Sequence, residues 1–384
     1  MQIIDKHIEL INSRISEIEY PQNPLGLYEP VKYQLDMGGK RVRPLLTLMA
    51  CDMFGGDVRE AILPALGLEI FHNFTLLHDD VMDKADIRRG RPTVHKAWNE
   101  NCAILSGDAM QIIATQKVCE APARVHKECL DLYNKTALEI CEGQQYDMEF
   151  ETRDDVTVDE YINMIRLKTA VLIGCSLKMG AIIAGATPSH ADAIYKFGEN
   201  IGLAFQLQDD YLDVYGDAKT FGKKIGGDIL NNKKTYMLIS ALALAEGETK
   251  SRLLALLDAK PNDDKIEQVT AIYSELGIDK IAREKIAKSI GADSSEIYFT
   301  SGGTESNNWA LVGGAMANKR AGNHIITTKI EHHAILHTCE YLEKEGFEVT
   351  YLDVSQGHNI SAQQVADAIR EDTCLVTVMY ANNE

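Results

Sequence analysis

Positive charge is scarce in this sequence. Its 39 lysines and arginines stand against 57 aspartates and glutamates, which gives a formal net charge of −18 at pH 7. A nucleic-acid-binding protein needs a basic face for the phosphates, so this acid excess argues against nucleic acid as a partner. It does not exclude small polyanionic substrates, because metal ions or local clusters of basic residues can bridge the charge.

Long apolar runs and paired cysteines are lacking as well. No apolar run approaches the ~20 residues that span a bilayer, and the N-terminus carries acids from Asp5 onward instead of a continuous apolar segment. The eight cysteines form no CxxC pair, which is typical of reduced core cysteines and not of a disulfide framework or a zinc site. We therefore expect a soluble cytoplasmic protein without a signal peptide or membrane span.

The length of 384 residues predicts two domains, and the hydrophobic pattern divides the chain accordingly. Up to about residue 285, apolar residues recur at three- and four-residue spacing, and several helices are apolar almost all round. From about residue 296, short β-branched runs (EIYFT, HIITT, EVTYLDV, CLVTVMY) alternate with helical segments. This pattern predicts an all-α bundle over 1–285 and an α/β segment with a mostly parallel sheet over 286–384.

Two matching acidic pentapeptides are the strongest chemical signal: Asp79, Asp80 and Asp83, then Asp209, Asp210 and Asp213. On a helix, residues four apart share a face, so each cluster concentrates carboxylates on one patch suited to Mg²⁺. A single cluster of this kind is most often a solvated acidic face. Here both follow strongly apolar segments, FHNFTLLH and AFQLQ, and two such patches would repel each other unless cations lay between them.

Basic residues complete a site for phosphorylated groups. They follow the first acidic cluster, flank a Gly-Gly pair, and recur further along the chain: Arg88, Arg89, Lys40, Arg41, Arg43, Lys168, Lys223, Lys224, Lys233 and Lys234. Arginine binds phosphate oxygens bidentately, and lysine acts as a point charge. Together with the carboxylates they predict a site for two phosphorylated groups, one bridged by metal and one held by cations directly.

The motifs GGKRVRP, HDDVMDKADIRRGRPTVH, GD (107–108), GQQYD, KTA, FQLQDDYLD and FGKKIGGDI resemble, in order and approximate spacing, the trans-isoprenyl diphosphate synthases. The resemblance covers residues 1 to about 285. It implies an all-α isoprenoid synthase bundle, usually a homodimer, with the two Asp-rich motifs facing each other across a cavity that holds about three Mg²⁺ ions. The second motif and the GGKRVRP segment favour chain elongation over a terpene cyclase, the other class that uses DDxxD.

The resemblance also implies roles for single residues. Mg²⁺ on the allylic diphosphate would be held by Asp79, Asp80, Asp83, Asp209, Asp210 and Asp213. The departing diphosphate would be neutralised by Arg88, Lys168, Lys223 and Lys233. The diphosphate of isopentenyl diphosphate would be bound by Gly39, Lys40, Arg43, His72 and Arg89. Thr169 and Gln206 would lie beside the reacting carbons. For His72 alone a capped core histidine would be the better reading; its place in the motif reverses that.

Product length can be predicted from the position of Phe74, which lies five residues before Asp79. Five residues correspond to roughly 7 Å along a helix at ~1.5 Å per residue, so a ring at this position would form a floor beneath the metal patch. On residue type alone, Phe74 is more often part of a core. Combined with the family pattern, the aromatic ring predicts a short all-trans product of about fifteen to twenty carbons.

The C-terminal part resembles the cysteine desulfurases of the fold-type-I pyridoxal phosphate enzymes, in the motifs IGADSSEIYFTSGGTESNN, IEHHAIL, EGFEVTYLDV, IREDTCLVTV and MYANNE. The resemblance implies that Thr304 contacts the cofactor phosphate, that His332 stacks on the ring and that Asn383 binds its phenolic oxygen. SGGTES between a strand and a helix could bind a phosphate at the helix N-terminus, but Gly-rich turns of this kind are common, so the motif alone is a weak signal. A rival reading takes His333 and His337, four apart on a helix, as metal ligands.

The segment departs from that family in lacking the ring aspartate, the Schiff-base lysine and the mobile-loop cysteine. Without the lysine the cofactor cannot be attached covalently. We therefore expect a prenyltransferase whose C-terminal segment is an incomplete, inactive fragment that binds little or no pyridoxal phosphate. The alternatives are a bifunctional fusion with a cofactor-binding desulfurase-like module, and a C-terminal segment that serves as a binding or dimerising module.

Overall fold

The computed structural model describes residues 3–216, 225–298, 300, 303–354 and 360–379. They form two compact units, a larger one of Ile8–Ile297 and a smaller one from Tyr298 onward, to which the residues before Ile8 are also assigned. The chain divides where the hydrophobic pattern changes from helical to alternating. Within the described residues, no helix is long and apolar enough to cross a membrane.

The larger unit is built of helices, with one short antiparallel hairpin, β1 (Ile87–Arg88) and β2 (Arg91–Pro92). The helices up to the second acidic motif are α1 (Ile3–Ser16), α2 (Leu25–Leu35), α3 (Val42–Met53), α4 (Val58–Met82), α5 (Val94–Ala97), α6 (Glu100–Val118), α7 (His126–Thr152), α8 (Val158–Ile165), α9 (Val171–Ile183) and α10 (Pro188–Tyr215). They are followed by α11 (Gly227–Leu230), α12 (Tyr236–Leu244), α13 (Gly247–Asp258), α14 (Asp263–Glu275) and α15 (Ile278–Ser289).

Helices α4 and α9 form the centre of this bundle, which confirms the predicted all-α fold with apolar central helices. Asp57 caps α4 by accepting a hydrogen bond from the backbone N–H of Arg59 at 2.9 Å. Successive residues of α4, such as Leu66, Gly67 and Leu68, are all buried, so this helix is enclosed on every side in its middle. Nearly all of α9 is buried in the same way. The first acidic motif therefore stands at the end of a helix that the core holds in place.

A π-helical turn, Arg166–Ala170, separates α8 from α9 and carries two of the predicted site residues. Such turns insert an extra residue and occur often at functional sites. Helix α7 crosses this turn at Gly143, where an added Cβ would lie 2.4 Å from the backbone nitrogen of Lys168. Only glycine allows the two backbones to approach so closely.

Helix α15 belongs to the larger unit. It buries Ile278, Ala282 and Ile286, and the guanidinium of Arg283 donates to the hydroxyl of Tyr211 at 3.0 and 2.7 Å. Tyr211 directly follows Asp210 of the second acidic motif. The predicted domain boundary at residue 285 falls inside this helix, and it stays a prediction.

The smaller unit is an α/β segment. Its elements are α16 (Gly303–Asn318), β3 (His324–Thr328), α17 (His333–Lys344), β4 (Glu348–Leu352), α18 (Ala362–Ala368) and β5 (Thr373–Val376). The three strands are parallel, in the order β4-β3-β5. The central strand β3 is buried throughout, and the ring nitrogens of His324 pair with the hydroxyls of Thr373 and Thr350 at 2.8 Å. The predicted parallel sheet of an incomplete α/β fragment is thus confirmed.

The prediction that EIYFT forms a further strand is wrong for its described residues, 296–298 and 300. Glu296 ends a 3-10 turn, Ser294–Glu296, and the described residues that follow it pair with no strand. Tyr298 is 65% exposed and packs edge-on against Trp309 at 5.1 Å between ring centroids. A β-branched and aromatic run becomes a strand only when a neighbouring strand takes up its backbone groups.

Candidate active site

A cavity of about 330 Å³ lies beside α4, α7 and the π-helical turn. Polar and charged residues of the predicted site, Arg43, His72, Asp79 and Lys168, line it together with apolar and aromatic side chains such as Phe74. A charged region next to an apolar pocket suits a substrate with a diphosphate head and a hydrocarbon tail. A second cavity of about 370 Å³ surrounds Lys178 and contains none of the predicted site residues.

The first acidic motif closes α4, and its carboxylates differ in environment. Asp79 lines the cavity, and burial raises its pKa although Lys168 opposes the rise. Asp80 is only 1% exposed, and the guanidinium of Arg88 donates to both of its carboxylate oxygens at 2.8 Å. Asp83 is the C-cap residue of α4. The structure therefore pairs Asp80 with Arg88, two residues that the sequence assigned separately to metal and to diphosphate.

The second acidic motif lies in the last turns of α10. The carboxylate of Asp210 is buried and accepts hydrogen bonds from the hydroxyl of Tyr161 at 2.5 Å and from the backbone N–H of Tyr236 at 3.1 Å. Burial raises the pKa of Asp210 to about 7, although these two donors oppose the rise. Burial also raises the pKa of Asp213, which accepts a hydrogen bond from the backbone N–H of Asp228 at 3.0 Å. Asp209 is half-buried.

Two lysines stand among these carboxylates. The Nζ of Lys168 lies 2.7 Å from Asp147 and 3.8 Å from Asp79. Burial by itself would lower the pKa of Lys233, but the carboxylates around it raise it overall: Asp228, Asp147, Asp210 and Asp83. Since Asp210 and Asp83 come from different motifs, Lys233 experiences the charge of both. The predicted Lys223 lies outside the described residues.

A hydrogen-bonded chain joins the π-helical turn to the second motif. The hydroxyl of Thr169 donates to the amide oxygen of Gln206 at 3.4 Å, and the amide nitrogen of Gln206 donates to Asp210 at 3.4 Å. Thr169 also lines the cavity. The two residues predicted to lie beside the reacting carbons are therefore in contact with each other.

The predicted binding residues for the second diphosphate lie before and at the start of α3 (Gly39, Lys40, Arg43), on α4 (His72) and in the turn between β1 and β2 (Arg89). Burial lowers the pKa of Arg43 to about 10, with Glu69 acting in the opposite direction. Burial, followed by the charge of Arg43, lowers the pKa of His72 well below its ordinary value. Gly39 has φ +143°, and an added Cβ would lie 2.9 Å from the guanidinium nitrogens of Arg89. An anion entering this cationic cluster would relieve its repulsion.

Arg41 has a role that the sequence did not reveal, although it stands between Lys40 and Arg43. It adopts the left-handed conformation, φ 50°, and its buried side chain donates to Glu69 at 2.7 Å and to the carbonyl of Leu35 at 3.0 Å. This ion pair ties the GGKRVRP segment to α4, while Lys40 remains exposed. The contact of Asp147 with Lys168 was not predicted either. The motif GQQYD (143–147) carries the family resemblance, but no role was assigned to its aspartate.

The residues predicted to contact pyridoxal phosphate are not brought together as a site in the described residues. Thr304 is exposed in the first turn of α16, and Nδ1 of His332 accepts a hydrogen bond from the backbone N–H of Ala334 at 3.0 Å, capping α17. Asn383 lies outside the described residues. The rings of His333 and His337 stack at 5.5 Å between centroids. In the part of the chain that the structure describes, no three His, Cys, Asp or Glu side chains form a ready-made metal centre.

Comparison with known proteins accounts for both units. The family model "Polyprenyl synthetase" matches residues 25–276, and "Aminotransferase class-V" matches residues 271–384. A short chain isoprenyl diphosphate synthase of Methanothermobacter thermautotrophicus is 39% identical over 284 residues, which cover 73% of this chain and 87% of that protein. A geranylgeranyl diphosphate synthase of Methanosarcina mazei is 42% identical over 234 residues, covering 60% and 72%.

Solved structures show the same relationship. A crystal structure of a geranylgeranyl pyrophosphate synthase is 45% identical with a TM-score of 0.71, covering 75% of this chain and 90% of that one. The geranylgeranyl pyrophosphate synthetase of Pyrococcus horikoshii is 36% identical with the same TM-score of 0.71, covering 75% and 88%. The chain therefore belongs to the polyprenyl synthetase family as a short-chain prenyltransferase, and its C-terminal segment matches the class-V aminotransferase family model.

Proposed function

We propose that this chain condenses isopentenyl diphosphate with an allylic diphosphate, head to tail and dependent on Mg²⁺, to an all-trans isoprenyl diphosphate of about fifteen to twenty carbons. The observation that carries this proposal is the cavity itself, which brings Asp79, Lys168 and Thr169 together with the ring of Phe74. Relatives named geranylgeranyl diphosphate synthase support a product at the upper end of this range.

The chemistry needs no protein nucleophile. The C–O bond of the allylic substrate breaks and its diphosphate group leaves with the bonding electron pair. The double bond of isopentenyl diphosphate attacks the resulting allylic carbocation, and the released diphosphate takes up the proton that the new cation loses. Lys168 and Lys233, together with Arg88 and Lys223 by resemblance, would neutralise the departing diphosphate. The oxygens of Thr169 and Gln206 would stabilise the positive carbon. Gly39, Lys40, Arg43, His72 and Arg89 would hold the second diphosphate.

The carboxylates fit Mg²⁺, which prefers one or two protein oxygens and completes its octahedron with water and substrate phosphate. We propose that Asp79, Asp83, Asp209 and Asp213 hold the ions, which would supply positive charge to the leaving group. Asp80 and Asp210 are only 1% and 3% exposed, and side-chain donors, the guanidinium of Arg88 and the hydroxyl of Tyr161, engage their carboxylates, whereas Asp213 accepts from the backbone. We propose that these two instead position Arg88 and the start of α12.

The direct test is a condensation assay. The purified chain is incubated with isopentenyl diphosphate, dimethylallyl, geranyl or farnesyl diphosphate, and Mg²⁺, and the products are dephosphorylated and separated by chain length. We expect elongation of the allylic substrate, and its loss by at least about a hundredfold when EDTA removes the metal. Absence of elongation with Mg²⁺ and each of the three allylic substrates would contradict the proposed function.

Phe74 provides a test of product length. Its ring lines the cavity and contacts Phe71 at 5.4 Å between centroids, so it occupies space that a longer hydrocarbon tail would need. Replacing Phe74 with Ala is expected to lengthen the main product by at least one isoprene unit. The matched control is Phe54→Ala, because Phe54 lies outside the cavity lining. An unchanged product distribution in F74A would refute the floor assignment.

We propose that the C-terminal unit contributes no pyridoxal phosphate chemistry. Of its three lysines, Lys319 donates to the carbonyl of Glu345 at 3.1 Å, and Lys329 pairs with Asp353 at 2.8 Å. Neither these nor Lys344, in the last turn of α17, stands in the SHK context of a Schiff-base lysine. The residues present therefore do not fit a covalently held cofactor.

We also propose a homodimer in the cytoplasm. Apolar side chains of α6 and α7 support the dimer, because Leu105, Ile112 and Leu138 are 60%, 59% and 63% exposed. Covering such residues with a second copy would remove apolar surface from water. The cytoplasmic location is supported by eight free cysteines.

A further inference from the structure

The ring of Phe74 is flanked by a histidine whose position another helix determines. His78 lies one turn further along α4, and the two rings meet edge to face at 4.7 Å between centroids. Both side chains line the cavity. Phe71 packs on Phe74 at 5.4 Å, so Phe74 has an aromatic neighbour on each side. Its position in the cavity therefore depends on His78 as well as on the core.

Helix α6 fixes His78 from behind. The Nε2 of His78 lies 3.0 Å from the carbonyl oxygen of Ile104 and 3.9 Å from a carboxylate oxygen of Asp108. Gly107 lies between these two residues in the sequence, and a Cβ added there would lie 2.3 Å from Nε2. Because real Cβ contacts are not that short, the imidazole occupies this position only while residue 107 is glycine.

We propose that His78 is a specificity-determining residue for product chain length, and that Gly107 sets how far its ring extends into the cavity. This inference rests on the proposed function and extends it, because the contacts of α6 with His78 would set the position of the Phe74 ring in the cavity. The geometry predicts opposite effects for the two positions. Removing the imidazole enlarges the cavity and frees the ring of Phe74, whereas a methyl group at 107 displaces the imidazole away from α6.

The experiment compares product distributions of the full chain with those of H78A, H78N, G107A and the double variant H78A/G107A. The measurement is the amount of product one isoprene unit longer than the main wild-type product, divided by the amount of product one unit shorter. We expect H78A, and to a smaller degree H78N, to raise this ratio by at least about tenfold, and G107A to lower it by a similar factor. The double variant has no imidazole for the new methyl group to displace, so it should match H78A.

Two substitutions serve as controls. Gly26→Ala adds a methyl group to α2 with no atom within 4 Å of the new Cβ, and His190→Ala removes an imidazole outside the cavity. Neither is expected to change the product ratio. Thermal unfolding midpoints show whether each variant folds. If G107A does not fold, the double variant H78A/G107A can still be measured, because it lacks the imidazole that the new methyl group would meet. H78N tests the role of His78 independently of position 107.

The outcomes separate this inference from the proposed function. An inactive wild-type chain overturns the proposed function. An active wild type whose product ratio is unchanged in H78A and H78N overturns the role of His78. If G107A shortens the product equally with and without the imidazole, Gly107 does not act through His78, and the coupling between the two positions is overturned.

Discussion

Replacing Asp79 with Asn is expected to lower kcat/KM for the condensation by about a thousandfold. The substitution keeps the size of the side chain and removes its charge at the place where Asp79 lines the cavity. Burial already raises the pKa of this carboxyl, and Lys168 lies 3.8 Å away to offset the cost of its charge. Asn can neither hold Mg²⁺ with comparable strength nor balance Lys168, so the charge on the leaving diphosphate loses its main stabilisation.

The matched control for this prediction is Asp192→Asn. Asp192 pairs with Lys178 at 2.5 Å beside the second cavity, and its side chain is 69% exposed. An exposed ion pair contributes little to stability, so this variant should retain kcat/KM within about twofold. A folded D79N enzyme whose kcat/KM stays within about tenfold of wild type would show that Asp79 does not contact the reacting diphosphate or its metal ions.

A chain that ends after Ile297 is expected to retain full condensation activity, whereas one that ends after Lys285 is expected to lose it. The shorter chain stops inside α15 and removes Ile286 and Ala287, which are both buried. A chain that ends after Gly277 loses the whole helix, including Ile278. In the chain that ends after Gly277, the lost burial of Ile278 and Ile286 alone costs about 3–6 kcal/mol. This is comparable with the whole stability of a typical protein, about 5–15 kcal/mol.

Activity, circular dichroism and thermal unfolding of the three shortened chains test this prediction. Arg283 provides an independent point substitution, because its guanidinium donates to Tyr211 beside the second acidic motif. Replacing Arg283 with Ala should weaken activity in the full chain much less than removal of α15. Loss of activity in the chain ending after Ile297 would show that the C-terminal unit is required by the synthase, as a binding or dimerising module would be.

Much of the larger unit was predictable, because its signals are local. The helical spacing, the two acidic pentapeptides and the family motifs all lie within single segments, and the structure has helices where the pattern predicts them. The sequence could not show that α15 belongs to this unit. IDKIAREKIAKS reads as a charged helix that would suit either family. Only in the folded unit, where it packs against α10, α12 and α14, are Ile278 and Ile286 buried.

The sequence by itself determined which chemistry the site can carry, because carboxylates, cations and an aromatic ring are properties of residue type and spacing. It did not distinguish the roles of Asp80 and Asp79, or of Arg41 and Arg43, because residues of the same type within one motif give the same sequence signal. The tertiary structure decided that Asp80 meets Arg88 and that Arg41 meets Glu69. It also placed Gly107 behind His78. Such contacts join residues of different elements, and they depend on which side of each helix the core covers.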